Sequence, residues 1–207
     1  MKKKNLTESA LKFRVDKAWY YGYTDFYEKY FSTYQNPSII EIGTAGHGST
    51  QMFLDYFDEC NLVGMDIIDY SGFEHPNFRF VNGDQNKIED LKRLIENEQS
   101  FDIILDDGSH TMRQQIAFGF LFPYLKTGGI YILEDIHTSF NNSFIEFDCQ
   151  YTTYDMLKRI KNRDLPFSNY IDHNTQEYIM SKIGSVEIFA KNESDLTDSV
   201  TSVIKIK

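Results

Sequence analysis

At 207 residues the chain is long enough to bury a core of its own, and with 41% apolar and 15% aromatic residues it is not composed like a disordered segment. The net charge of −10, from 21 basic and 31 acidic side chains with no basic stripe, argues against a nucleic-acid partner. Cys60 and Cys149 lack Cys or His neighbours at metal-site spacing and read as two reduced thiols of a cytoplasmic protein. The basic start, Met1 to Lys4, is not followed by an apolar run, so no secretory leader is expected. The most apolar stretch, Phe118 to Leu125, contains Pro123 and is too short to span a membrane.

Along the chain, short apolar runs alternate with segments of helical period. The Tyr- and Phe-rich opening, Trp19 to Phe31, reads as an amphipathic helix on a sheet, with a lid over a ligand as the other reading. Helices are predicted over Thr24–Tyr34, Thr50–Phe57, Ile88–Glu98, Met112–Leu125 and Tyr151–Asn162. Strands are predicted over Ser38–Ile42, Leu62–Met65, Phe78–Val81, Asp102–Leu105, Ile130–Leu133, Val186–Ala190 and Ser202–Ile206. Only the polar stretch Lys191 to Thr201 joins the last two, too little for a crossover helix, so they should pair antiparallel. The expected fold is α/β: a Rossmann-like, doubly wound sheet, mostly parallel, of seven strands with a C-terminal antiparallel strand. One domain covers 1–207, with a helical cap over 1–36, a core over 37–140, and a helix and terminal hairpin over 141–207.

Ligands of such sheets bind beyond the carboxyl ends of the strands, which directs attention to the residue after each one. The first strand ends in Glu41-Ile42-Gly43-Thr44-Ala45-Gly46-His47-Gly48-Ser49. Its glycines allow a close backbone approach to a ligand, and Ser49 or Thr50 can cap the next helix. The order G-x-x-G-x-G is not that of dinucleotide folds. The second strand ends at Asp66, a carboxylate able to accept both hydroxyls of a ribose. The third ends in Gly83-Asp84-Gln85, where an acid and an amide could read an adenine edge. With no Walker lysine and so much negative charge, adenosine carrying a sulfonium suits the site better than a pyrophosphate does.

The fourth strand ends in Asp106-Asp107-Gly108-Ser109-His110, and the fifth in Glu134-Asp135-Ile136-His137-Thr138-Ser139. On adjacent strands, about 4.8 Å apart, Asp107 would face Glu134 or Asp135. One of their pKa values would rise unless a cation sat between them. Such an oxygen set suits Mg²⁺, Mn²⁺ or Ca²⁺. His110, expected at the start of the following helix, would be kept neutral by the helix dipole and fit for general base, with His137 as its rival, a substrate contact or a metal ligand. His47, His75 and His173 read as surface residues.

The motifs Glu41-Ile-Gly, Gly-Asp84-Gln85, Asp106-Asp107-Gly-Ser-His110 and Glu134-Asp135-x-His-Thr-Ser139 resemble those of the metal-dependent sugar O-methyltransferases, the group of the macrocin and mycinamicin enzymes. The likeness runs from about Asp16, through Gly22-Tyr23-Thr-Asp-Phe-Tyr27, to Ser139. It implies a class I methyltransferase fold that binds S-adenosylmethionine. Asp107, Glu134 and Asp135 would then hold Mg²⁺, with His110 the base. Asp66, Asp84 and Gln85 would contact adenosine, and Lys17, Tyr23, Asp106 and Ser109 would lie near the cofactor. Two departures stand out. Arg14-Val15 replaces the usual Gly-Thr before Asp16-Lys17, and Tyr20 and Tyr21 stand where a His is common. The macrolide enzymes also carry a large N-terminal domain without a counterpart in these residues.

The resulting expectation is in-line transfer of a methyl group to a sugar hydroxyl, by analogy on a nucleotide-linked or surface-polysaccharide sugar. The acceptor would be a small molecule, with no nucleic-acid or membrane partner, and a homo-oligomer is compatible with the sequence. A catechol-type O-methyltransferase is the nearest rival, although such enzymes show Asp-Asn where this chain has Glu134-Asp135. Further alternatives are a relative of the cephalosporin hydroxylases and a non-catalytic module that keeps the fold.

Overall fold

The structure is a computed structural model and describes residues 4–98 and 100–207. Of the basic start, only Lys4 is therefore described. Seven strands form one sheet: β1 (Ser38–Ile42), β2 (Asn61–Asp66), β3 (Phe78–Asn82), β4 (Phe101–Asp106), β5 (Leu125–Leu133), β6 (Ile183–Ala190) and β7 (Val200–Ile206). Their order is β3-β2-β1-β4-β5-β7-β6. The first five are parallel, and β7 runs antiparallel to both β5 and β6, as expected. The order reverses between β1 and β4, which makes that junction the switch point where ligands enter such sheets.

The sheet is covered on both faces, so its central strands are apolar on both sides. Alternate residues of one strand serve opposite cores. Ile40 and Ile42 join Met65, Ile104 and Tyr131 beneath α5 (Ile88–Leu94), α6 (Gln114–Leu121), α7 (Thr153–Asn162) and α8 (His173–Lys182). On the other face Ile39 joins Leu62, Ile103 and Ile132 beneath α1 (Leu6–Lys12), α3 (Thr24–Phe31) and α4 (Gly48–Tyr56). The short α2 (Asp16–Trp19) follows α1. Among the described residues no helix is long and apolar enough to cross a membrane.

All seven predicted strands form; the differences lie in the helices. The predicted helix over Met112–Leu125 is shorter, because Pro123 introduces a 3₁₀ turn over Phe122–Tyr124 and Leu125 already belongs to β5. The opening splits into α2 and α3 at Gly22, whose φ is +71°. Phe26, Tyr27 and Phe31 pack into the core, while Trp19 stays 64% exposed. Helices α1 and α8 have no predicted counterpart, because each buries only two or three side chains and shows little apolar period. α8 is nonetheless marked by Asp172, whose side chain accepts from the Thr175 amide at 3.0 Å. Neither Ser49 nor Thr50 caps α4; His47 holds that position with a φ of +61°.

Candidate active site

Strand register delivers the predicted residues to one edge. Asp106 pairs with Leu133 across β4 and β5, so Asp107 and Glu134 follow side by side. The ladder continues past the strand ends, with the Glu134 amide bonded to the Asp106 carbonyl and the Asp107 amide to that of Ile42, both at 2.9 Å. Gly43 is required by this convergence. Its φ is +83°, and an added Cβ would stand 2.0 Å from the Asp107 carbonyl oxygen. The close approach that sequence assigns to a ligand is thus made first by the chain itself.

Three adjoining clefts run along the edge. The first lies between the ends of β1, β2, β3 and β4, with Gly43, Asp66, Asp84, Gln85 and Ser109 on its wall together with Ile67 and Asn86. A second shares Gly43, Asp66 and Gly108 with it and adds Asp107, His110, Asp135 and Tyr21. The third shares Tyr21, His110 and Asp135 with the second and opens past His137, Thr138 and Phe140 to Thr197. A ligand that runs from the first cleft into the second would therefore meet one in the third at Tyr21, His110 and Asp135.

The wall residues differ in what they offer. Asp66 accepts from the amides of Ala45 (2.8 Å) and Ile68 (2.9 Å), which fixes its carboxylate at the cleft. Asp84 accepts from the Asn86 amide at 2.9 Å. The Gln85 amide is spent within the protein: its nitrogen donates to Asp106 at 2.9 Å and its oxygen accepts from the Ser109 amide at 2.6 Å. Five further predicted residues lie off this wall. Asp106 is a buried strut that also accepts from Tyr131, and burial pushes its carboxyl up to about 7 against those hydrogen bonds. Glu41 is likewise buried, accepts from Thr50 at 2.6 Å and is pushed up to about 7 by burial. Tyr23 is buried, its hydroxyl accepting from Ser199 at 2.7 Å. Ser49 sits in the first turn of α4, and Lys17 is buried beneath the acid cluster.

Lys17 is the cation that the carboxylates require. Its Nζ donates to Asp107 Oδ2 at 2.6 Å and to Glu134 Oε2 at 3.0 Å. Tyr27 donates to the other Glu134 oxygen at 2.9 Å. Burial works to lower the Lys17 pKa, but the two carboxylates outweigh it and hold the ammonium charged. Burial lifts both acids against that ammonium, Glu134 to about 8.

Asp135 faces the other way. Its Oδ2 is 2.9 Å from His110 Nδ1, and one ligand atom each from Asp107, His110 and Asp135 lie within 4.8 Å of one another. Both His110 and Asp135 hold positive φ, +55° and +51°, conformations uncommon for residues with a Cβ. His110 precedes α6 by four residues, so the expected effect of the helix dipole gives way to its carboxylate neighbours. The Asp135 hydrogen bond, opposed by burial, raises its pKa to about 9. Burial opposes the Asp135 charge, but His110 outweighs it and holds the carboxyl below its ordinary range. The chemistry of this donor set, two carboxylates and an imidazole with a third carboxylate shared by Lys17, fits a hard divalent cation.

No protein-family model matches the chain. It is 30% identical over 197 residues to the mycinamicin VI 2''-O-methyltransferase of Micromonospora griseorubida, covering 84% of this chain and 49% of that one. It is 34% identical over 128 residues to the demethylmacrocin O-methyltransferase of Streptomyces fradiae, covering 57% and 32%. The structure superposes on that of the MycE methyltransferase of mycinamycin biosynthesis, in complex with Mg and SAH, with a TM-score of 0.81 and 27% identity. That match covers the whole of this chain and 56% of the other. The chain is a homologue of the macrocin- and mycinamicin-type sugar O-methyltransferases. It has their class I methyltransferase fold and spans about half the length of the curated relatives it matches.

Against the family motifs, several contributors lay outside the sequence reading. Tyr21, at a departure from the family pattern, lines both the second and the third cleft. Tyr27 positions Glu134, and Phe140 and Thr197 line the third cleft from segments with no motif. His47 is buried, not a surface residue: its ring stacks on Phe73 at 4.8 Å and its Nε2 lies 2.8 Å from the Tyr70 carbonyl oxygen. His75 and His173 are exposed, as expected, and both cysteines are free.

Lys17→Met should lower unfolding free energy by about 3–5 kcal/mol, because it leaves the buried Glu134 and the half-buried Asp107 without their cation. Urea denaturation of Lys17→Met beside Lys17→Met/Glu134→Gln checks this; the double variant should lose less than the single. The His110–Asp135 pair sets a pH dependence in chelator-treated protein. His110 is raised from 6.5 to about 9, so its contribution is complete below pH 6.5 and is lost as pH rises through about 9. The stability difference between wild type and His110→Asn should shrink over that window.

Proposed function

We propose that the chain binds S-adenosylmethionine along the first two clefts and transfers its methyl group to a hydroxyl of a sugar held in the third. The observation that carries this reading is the continuity of the clefts through His110, on a fold shared with Mg- and SAH-bound MycE. Adenosine would lie between Asp84 and Asp66, with the ribose diol on Asp66 and the sulfonium toward Asp107. The acceptor would be a small-molecule glycoside, since mycinamycin VI is bound in a structure of MycE. By analogy its sugar would be nucleotide-linked or part of a surface polysaccharide under construction. The free cysteines support a cytoplasmic setting.

In the transfer, the acceptor oxygen bonds to the methyl carbon, the carbon–sulfur bond breaks to leave a neutral thioether, and the hydroxyl proton passes to a base. We assign that proton to His110 Nε2. Asp135 engages Nδ1 and fixes the ring, as a carboxylate does for a catalytic imidazole. His137 lines the acceptor cleft, which supports a contact with substrate, while its buried Nδ1 lies 3.8 Å from Asp135 Oδ1. Asp107, Asp135 and Glu134 would hold a divalent metal, Mg²⁺ by homology, which when bound would acidify the hydroxyl and offset the negative charge that keeps His110 protonated. Lys17 and Tyr27 keep the Glu134 carboxylate in place beside it.

Thermal unfolding with S-adenosylhomocysteine, with Mg²⁺ and with both tests the reading. The homocysteine compound at 100 times its dissociation constant should raise the midpoint by about 5–10 °C. Mg²⁺ should add a chelator-reversible increment; no shift with either ligand would overturn the proposal. His110→Ala should keep S-adenosylhomocysteine affinity while turnover falls by about 10²–10⁴-fold. Retained turnover would transfer the base role to His137.

A further inference from the structure

A fourth cleft adjoins the acceptor cleft and lies outside the motifs. It is bounded by α7 on one side and by the end of β6 with the 191–199 hairpin loop on the other. Because β7 runs antiparallel to β5, that loop overhangs the carboxyl edge where the acid cluster sits. Only one layer separates the two clefts. Phe140 lines the acceptor cleft and Tyr154 the fourth, and their rings are in contact at 4.9 Å. Thr197 and Leu196, consecutive in the loop, face one cleft each.

The fourth cleft has an apolar wall, Ile188, Ala190 and Leu196, and a basic rim. Lys158 and Lys161 stand three residues apart on α7, on one helix face. Among the described residues neither meets a carboxylate within 4 Å. Other cations on α7 and at its C-cap are engaged by the protein: Arg159 donates to the Pro166 carbonyl at 2.6 Å and Arg163 to that of Met180 at 2.7 Å. The end of a helix favours a lysine such as Lys161 through its dipole, but Lys158 lies in the middle of α7 and gains little from that. Among the described residues Glu193 is the one acid on the wall, set against two lysines and the Asn162 amide. In a chain of net charge −10, Lys161 and Lys158, whose ammonium stands 5.6 Å from the centroid of the Tyr154 ring of the same cleft, form a local exception to the field.

We propose that this cleft binds a phosphate group attached to the acceptor sugar, so that the substrate is a phosphate-linked sugar rather than a neutral glycoside. The inference rests on the sugar-methylation reading for what fills the neighbouring cleft. Lys158 and Lys161 would take the phosphate oxygens, and the apolar wall would hold what lies beyond, a nucleoside or a lipid.

Titration calorimetry of the full chain tests this with four probes: methyl α-glucopyranoside, glucose 1-phosphate, UDP-glucose and farnesyl-diphosphate-linked glucose. Each is titrated with and without S-adenosylhomocysteine and Mg²⁺. At least one phosphorylated probe should bind about tenfold or more tightly than the neutral glycoside, and less tightly as salt rises. Lys158→Gln/Lys161→Gln should abolish that advantage without changing S-adenosylhomocysteine affinity, and Glu193→Gln should increase it. UDP-glucose or the farnesyl compound binding best tells a nucleotide from a lipid source. Equal binding of neutral and phosphorylated probes, or an undiminished advantage in the double variant, overturns the proposal. Failure to bind S-adenosylhomocysteine would instead overturn the methyltransferase reading, while the arms without it still report on the phosphate.

Discussion

The buried ammonium of Lys17 between Asp107 and Glu134 ties the N-terminal helices to the ends of β4 and β5. Two carboxylates brought this close repel, and burial, with the neighbouring acids, raises both. A fixed cation from α2 lets them coexist in the folded chain. Tyr27 extends the tie to β7, since its hydroxyl is hydrogen-bonded to Glu134 and lies 2.7 Å from that of Thr201. The helical opening is thus part of the site, because it carries the charge that the sheet edge lacks.

From this constraint follows a division of labour among the acids. Glu134 is held on both oxygens, Asp107 on one, and Asp135 turns toward His110 through a strained backbone. Asp107 and Asp135 remain on the cleft wall beside His110. His110 sits where the clefts meet, and its raised pKa has the same origin as the repulsion among the acids.

The end of the edge proposed for adenosine rests on packing more than on charge. Gly43 and Gly108 allow the β1, β3 and β4 loops to close on one another, with Gln85 clamping Asp106 and Ser109. Asp66 and Asp84 are left facing the cleft, each fixed by backbone amides. His47, packed against Phe73 and Tyr70, secures the glycine loop from behind.

Strand positions, their parallel order and the terminal antiparallel pair were legible in the sequence, since apolar runs and connection lengths are local properties. So was the list of acids at the strand ends, because register places the residue after each strand at one edge. Partners more than a hundred residues apart were not legible: nothing local pairs Lys17 with Glu134 or Tyr23 with Ser199. Nor was the fate of each polar group, whether on a wall, as Asp66 is, or buried as a strut, as Asp106 and Glu41 are. Side-chain identity names the chemistry available at the edge. Only packing decides which atoms are consumed within the protein and which remain for a ligand, because each buried donor and acceptor must first be satisfied.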